Sequence, residues 1–218
     1  MRNFNLKQLF ITVFALLSCL SANAQYYVET GGIHYELYPE SHTASVISTN
    51  YWNPISSEYS GDIVIPKAIT YNGEGFRVTQ IAGNAFSGCQ NLTSIAISDN
   101  ITTIGRYAFK GCTGLTELTI PNSVTTINIY AFSNCTALKE ITLLGATSIG
   151  EISYYYDGDY DTGRSGAFEG CSKLEKVTLS DGLHEIGENT FRNCVSLASI
   201  IIPEGVETLG MNAFSGCI

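Results

Sequence analysis

The sequence predicts a β-rich α/β solenoid, and three observations predict it. Phe86, Phe109, Phe132, Phe168, Phe191 and Phe214 recur at intervals of 23, 23, 36, 23 and 23 residues. Cys89, Cys112, Cys135, Cys171, Cys194 and Cys217 each follow a Phe by three residues, so six of the seven cysteines mark one repeat. Between these markers, short stretches alternate apolar and polar residues, the period of a strand with one buried face. A 23-residue unit cannot bury its own apolar side, but stacked units can, with parallel strands about 4.8 Å apart. The expected body is a right-handed superhelix of such coils, threaded by columns of Phe, Leu and Ile.

Residues 1–24 read as a secretory signal. Arg2 and Lys7 form a basic start, Leu9 to Leu20 an apolar run, and Ala22-Asn23-Ala24 a signal-peptidase site before Gln25. Leu16-Leu17-Ser18-Cys19 is a rival reading as a lipoprotein signal lipidated at Cys19. The apolar run is too short to span a bilayer comfortably, and no later segment approaches the roughly 18 apolar residues of a spanning helix. Removing the signal leaves nine bases against twenty acids, a net charge of −11. An acidic chain without a basic run is poorly suited to nucleic acid or anionic membranes.

Residues 25–77 are expected to form a β cap over the first coil, because an open solenoid end exposes apolar side chains and strand edges. Ile33, Tyr35 and Leu37 alternate on one face of a strand, leaving His34 outward, and Ala44–Ile47 is a second strand. Asp62–Pro66 echoes the end of a repeat, and Tyr71-Asn72-Gly73-Glu74 is a hairpin turn.

Residues 78–218 form six copies, the last incomplete. The cleanest, Ile101 to Ser123, reads ITTIGRYAFKGCTGLTELTIPNS. Leu115, Leu118 and Ile120 alternate as a strand, Ile101 and Ile104 mark a second extended piece, and Tyr107–Lys110 is expected to be one helical or 3₁₀ turn with Ala108 and Phe109 inward. The residue before each Cys is Gly88, Gly111, Asn134, Gly170, Asn193 or Gly216. Only Gly and Asn occur there, as a left-handed residue closing the turn requires. Ala82, Gly105, Asn128, Gly150, Gly187 and Gly210 follow the second extended piece and suggest a tight corner. The interval of 36 loops out residues 151–165, which carry Tyr154, Tyr155, Tyr156, Asp157, Asp159, Tyr160 and Asp161. The chain stops before the strand of its sixth copy; a longer parent, a covering partner, and a partial copy acting as cap are three open explanations.

The motif A-F-x-G-C-x-x-L-x-x-I-x-I-P, repeated at 23 residues, resembles the BspA-like leucine-rich repeats, also called the Treponema pallidum type. The resemblance covers about Val78 to Ile218. It implies a bacterial secreted or surface protein that works by adhesion and protein binding rather than catalysis, with host extracellular matrix proteins, receptors or other bacteria as partners.

The remaining chemistry is sparse. Asp157, Asp159 and Asp161 alternate like the start of a calcium loop, but Gly163 comes one place late and Phe168 stands where Glu is expected. A solvated acidic loop is the plainer reading, and no metal or cofactor is expected. The loop tyrosines offer rigid apolar faces with polar tips, suited to protein or sugar contacts, or to packing on the solenoid itself. The 23-residue cysteine spacing matches no zinc module. Stacked cysteines come close enough for disulfides in an oxidising compartment, but their side chains run parallel, which favours buried free thiols. No catalytic motif accompanies His34, His42 or His184. Candidate ligand-binding positions are therefore the loop residues together with the exposed strand positions Thr116, Glu117, Thr119, Lys139, Glu140, Thr142, Lys176, Thr178 and Ser199. The expected function is protein binding, with glycan binding through the Tyr-rich loop, or service as a spacer within a larger envelope protein, as alternatives.

Overall fold

Equivalent strands of successive coils pair in parallel and generate the architecture. The computed structural model describes residues 26–50, 57–151 and 166–218. The signal segment and loop residues 152–165 lie outside them. The long sheet begins with β1 (Tyr26–Thr30), β2 (Ile33–Tyr38) and β3 (Thr43–Ile47), an antiparallel meander. Strand β3 pairs in parallel with β6 (Glu74–Ile81). The sheet then continues in parallel through β8 (Thr103–Ile104), β10 (Thr126–Asn128), β12 (Ser148–Glu151), β14 (Glu185–Ile186) and β15 (Thr208–Leu209). β5 (Ala68–Tyr71) joins β6 as a hairpin. Asn72 (φ 51°) and Gly73 (φ 84°) make its two-residue turn, where the left-handed backbone suits Asn and Gly.

Strands on a second side form two shorter parallel sheets. One pairs β4 (Gly61–Val64) with β7 (Leu92–Ala96); the other orders β9 (Glu117–Ile120), β11 (Glu140–Leu143) and β13 (Lys176–Thr178). Ile63 of the Asp62–Pro66 segment pairs with Ile95, so this segment behaves as a repeat strand, as its sequence suggests.

The core is a set of ranks, one residue per coil. Consecutive rings along the Phe column lie 5.0, 5.0, 5.1, 5.4 and 5.4 Å apart with planes within 12°. The first five Phe are wholly buried. The stacking distance follows from the strand spacing, which sets the rise per coil. Leu92, Leu115, Leu138 and Leu174 form a second buried rank, and Ile81, Ile104, Ile127, Ile149 and Ile186 a third. At the leading end Tyr59 covers Phe86, with ring centroids 4.7 Å apart. Its hydroxyl donates to the Ile47 carbonyl and accepts the His34 N–H, both at 2.9 Å. This buried tyrosine ties β2 and β3 to the first coil.

The connection through each Phe is not the continuous helical or 3₁₀ turn expected from sequence, and the described residues contain no helix of either kind. The N–H groups of Ala108, Lys110 and Cys112 bond within the coil, to Gly105, Tyr107 and Phe109 carbonyls. The intervening N–H groups of Phe109 and Gly111 cross to the Ala131 and Ser133 carbonyls of the next coil, at 2.7 and 2.9 Å. A helix would spend every N–H internally. Left-handed residues enforce the alternation: Tyr107 has φ 60°, as do Asn84, Tyr130 and Asn193, and every residue before a repeat Cys has positive φ. The latter is the left-handed Gly/Asn position read from the sequence.

The second Gly-rich position has a different cause from the tight corner expected. Only Gly150 there is left-handed, with φ 81°. A Cβ at Gly105 would stand 2.6 Å from the Gly83 nitrogen, and one at Gly210 would stand 2.3 Å from the Glu188 nitrogen. Neighbouring backbones pass too close for a side chain.

The six repeat cysteines are free thiols, five of them buried. Each of the last five donates its S–H to the Phe carbonyl of the preceding coil: Cys112 to Phe86 at 3.0 Å, Cys135 to Phe109 at 3.1 Å, Cys171 to Phe132 at 3.2 Å, Cys194 to Phe168 at 3.3 Å and Cys217 to Phe191 at 3.2 Å. Burial pushes the Cys194 thiol and the Tyr35 phenol up to about 12. It raises Cys112, Cys171 and Tyr59 further.

Three predictions follow from this core. Phe109→Ala opens a cavity in mid-column and costs about 3–5 kcal/mol in denaturant titration. Gly170→Ala destabilises because its Cβ would meet the Asn134 Oδ1 at 2.4 Å on a backbone with φ 75°. Adding Asn134→Gly relieves the contact but not the left-handed strain, so a double-mutant cycle gives a coupling above about 0.5 kcal/mol. Additive costs would show that the contact is idle. Finally, the folded chain holds the buried thiol and phenol protons more tightly than the unfolded chain, where they leave near 9.0 and 10.0. This stabilisation is complete below about pH 9 and is lost as pH rises through 12, so the urea midpoint falls across that window.

Candidate binding surface

Because strand side chains alternate, burying Leu118, Ile141 and Val177 turns their neighbours outward. The parallel register places Glu117, Glu140 and Lys176 in one outward rank, and Thr119, Thr142 and Thr178 in the next. The sequence-predicted sheet positions are thereby brought together on one face. Glu140 is paired with the Lys176 ammonium. Glu117 stands beside Glu140 with no such partner among the described residues. Lys139 and Thr116 lie at the entry to the strands, both exposed, where the Lys139 N–H donates to the Thr116 carbonyl at 2.7 Å. Ser199 is exposed one coil further on.

The face extends upstream through β4 and β7, beyond the positions expected from sequence. Asp62 accepts hydroxyl hydrogen bonds from Ser94 at 2.6 Å and Thr93 at 2.9 Å, and these hold its carboxyl below the usual range. The rank of Thr119 continues to Ala96 and Val64, which is 69 % exposed, and on the other side to Ile201, which is 87 % exposed. This face thus carries an uncharged, largely β-branched rank beside a charged one.

The long sheet also displays threonines, and some of them are engaged. The hydroxyls of Thr102 and Thr147 donate to the Thr79 and Thr125 carbonyls of the preceding coils at 3.3 and 3.2 Å. The hydroxyls of Thr119, Thr142 and Thr178 make no hydrogen bond among the described residues. Thr103, Thr126 and Thr208 of the long sheet are likewise without one, so the shorter sheets differ in setting three such hydroxyls side by side in one rank.

A second feature escaped the sequence reading. Tyr107 and Tyr130, one coil apart, pack with ring centroids 4.6 Å apart. The Arg106 guanidinium lies 4.6 Å and the Lys110 ammonium 4.8 Å from the Tyr107 centroid, and Arg106 Nη2 donates to the Tyr107 hydroxyl at 2.8 Å. The 23-residue offset between the two tyrosines was the available signal. In the next coil the same place is held by Gly166, whose carbonyl accepts the Glu169 N–H as that of Tyr107 accepts the Lys110 N–H. The expected loop contacts, Tyr154, Tyr155, Tyr156, Asp157, Asp159, Tyr160 and Asp161, lie outside the described residues.

His184 is exposed and His34 is half-buried, 3.7 Å from Glu29. Among the described residues no three His, Cys, Asp or Glu side chains group as a metal site, and no helix is long and apolar enough to cross a membrane.

Comparison with known proteins places this geometry. A family model described as a BspA type leucine rich repeat region matches residues 75–162 and 164–218, in six copies. No curated protein matches the chain. Among solved structures, the chain is similar to a leucine rich cell surface protein from Faecalibacterium prausnitzii, with 26 % identity and a TM-score of 0.58 over 90 % of this chain and 54 % of that one. A leucine-rich repeat protein from Eubacterium ventriosum is similar at 25 % identity and a TM-score of 0.57, over 90 % of this chain and 51 % of the other. The T. pallidum leucine rich repeat protein shares the fold at 24 % identity and a TM-score of 0.56, over 87 % and 88 % of the two chains. The chain spans about half the length of the first two.

Proposed function

Since the chain belongs to the BspA-type leucine-rich repeat family, we propose that it is an exported, surface-displayed scaffold that binds other proteins through the outward face of β4, β7, β9, β11 and β13. One observation carries this reading: a rigid rank of unspent threonine hydroxyls beside a rank of charges, repeated coil after coil. Such a surface supplies many weak polar contacts at fixed spacing with little ordering cost, which suits a large protein partner better than a small ligand. In this reading residues 1–24 direct export, and β1–β3 with Tyr59 cap the first coil. The function is adhesive rather than enzymatic, toward matrix proteins, receptors or neighbouring bacteria. The similar protein from Faecalibacterium prausnitzii is a cell surface protein, which supports the location.

The experiment is binding of the purified protein to immobilised matrix glycoproteins. The triple variant Glu117→Lys, Thr142→Arg, Lys176→Glu reverses and crowds the face while leaving the core untouched. The expected result is saturable binding that weakens at least tenfold in the variant, about 1.4 kcal/mol or more, with an unchanged circular dichroism spectrum. Binding that survives the triple variant but disappears on replacing 151–165 with a two-residue linker would move the site to the loop. In that case competition by a free sugar would identify glycan recognition.

A further inference from the structure

The edge that carries the Phe turns, between the long sheet and the shorter ones, is not uniform in charge. Asp and Glu are absent from residues 82–90, 105–113 and 128–136, the turns of the first three coils, in a chain of twenty acids. The same turns hold Arg106 and Lys110. The next two bring in Glu169 and Glu188, and there Arg192 pairs with Glu169 at 3.4 Å. Lys67 and Lys176 also sit against carboxylates, whereas Lys110 is exposed and touches none among the described residues. Tyrosine rings hold both cations in place. Arg106 and Lys110 lie 4.6 and 4.8 Å from the Tyr107 centroid, and 5.5 and 5.7 Å from that of Tyr130. The backbone is strained at these tyrosines. The position two before the Phe is left-handed in Asn84, Asn189 and Asn212 as it is in Tyr107 and Tyr130. Asn accepts that conformation readily and Tyr does not. Two consecutive coils thus accept local strain to set two rings 4.6 Å apart beside two cations, and such strain gathers at functional sites.

We infer that this turn edge is a binding site for an acidic peptide segment, with the Arg106 guanidinium and the Lys110 ammonium receiving its carboxylates. A guanidinium aligned on an aromatic ring meets a carboxylate in a fixed geometry and loses little freedom on binding. The zone without carboxylates spans three coils, two rises of 5.0 Å. That width suits a short run of acidic side chains, whereas a long polyanion would run on to Glu169 and Glu188. A sugar would need an open aromatic face to stack on. Tyr107 has Tyr130 and both cations against its ring, and Tyr130 is buried. The site is separate from the outward strand face and does not rest on that reading.

The test is fluorescence anisotropy of a labelled decaglutamate peptide with the purified full chain at low ionic strength, where exposed charges are least screened. The expected result is saturable binding that weakens by about tenfold or more in the double variant Arg106→Gln, Lys110→Gln. Binding is unchanged in Lys67→Gln, whose lysine is already paired with Asp99. Tyr107→Asn installs the residue that other coils use at this left-handed position, so the turn is retained. It weakens binding by about threefold or more with an unchanged circular dichroism spectrum, a loss that a purely structural tyrosine would not produce. Absence of saturable binding would overturn the inference, as would an equal loss in Lys67→Gln, the mark of diffuse charge attraction. Binding of a sulfated hexasaccharide in place of the peptide would assign the edge to glycans and overturn it. So would peptide binding that appears only once residues 151–165 are replaced by a two-residue linker, which would give the edge to that acidic segment of the same chain.

Discussion

Each coil is held in shape by the coil beside it, through backbone N–H groups it does not use itself. Every second N–H in the Phe turn closes that turn, and the others reach across to the neighbour. This division excludes a helix, demands left-handed residues at fixed places, and sets a rise near 5 Å at which Phe rings stack face to face. The Phe column, the thiol ladder and the close passage of backbones at Gly105 and Gly210 all depend on that spacing. Stability in such an array is a sum of neighbour terms, with no central core to which distant residues contribute.

The same arrangement separates duties along each coil. Inward ranks are nearly invariant in kind, because each apolar side chain must sit on its counterpart. Outward ranks are constrained only by solvent and by one another, so Glu117, Glu140 and Lys176 differ while occupying one rank. The interval between Gly150 and Gly166 shows how far this tolerance reaches. A long insertion there leaves Phe132 and Phe168 stacked at 5.1 Å, because Ala167 still offers its carbonyl to the Phe132 N–H.

Much of this was legible in the sequence, for a physical reason. Repetition removes ambiguity: a lone Phe is a core candidate, whereas six in register, each followed by Cys, report a column. The Gly/Asn choice before each Cys reported positive φ, because few other residues accept it. The helical turn was misread because Tyr107 and Tyr130 hold left-handed backbone without being Gly or Asn, so composition gave no warning. The Gly-rich corner was misattributed because close backbone approach and tight turning select the same residue. Tyr59, which covers the first Phe, lies in no repeat and had no register to reveal it. On the candidate face, alternation showed which residues point outward; which hydroxyls are already engaged depends on contacts between coils that a single strand does not encode.

Asn134 and Asn193 direct their side-chain oxygens at Gly170 and Gly216 of the following coils, at a distance where a Cβ would stand 2.4 and 2.7 Å away. The order of coils is therefore not free. In this chain no Asn-bearing coil is followed by another: the six read Gly, Gly, Asn, Gly, Asn, Gly. A Gly-bearing coil placed after an Asn-bearing one leaves room for that side-chain oxygen. An Asn-bearing coil placed there would oblige the first Asn to turn its side chain away. The contact thus favours alternation over the tandem doubling of Asn-bearing coils.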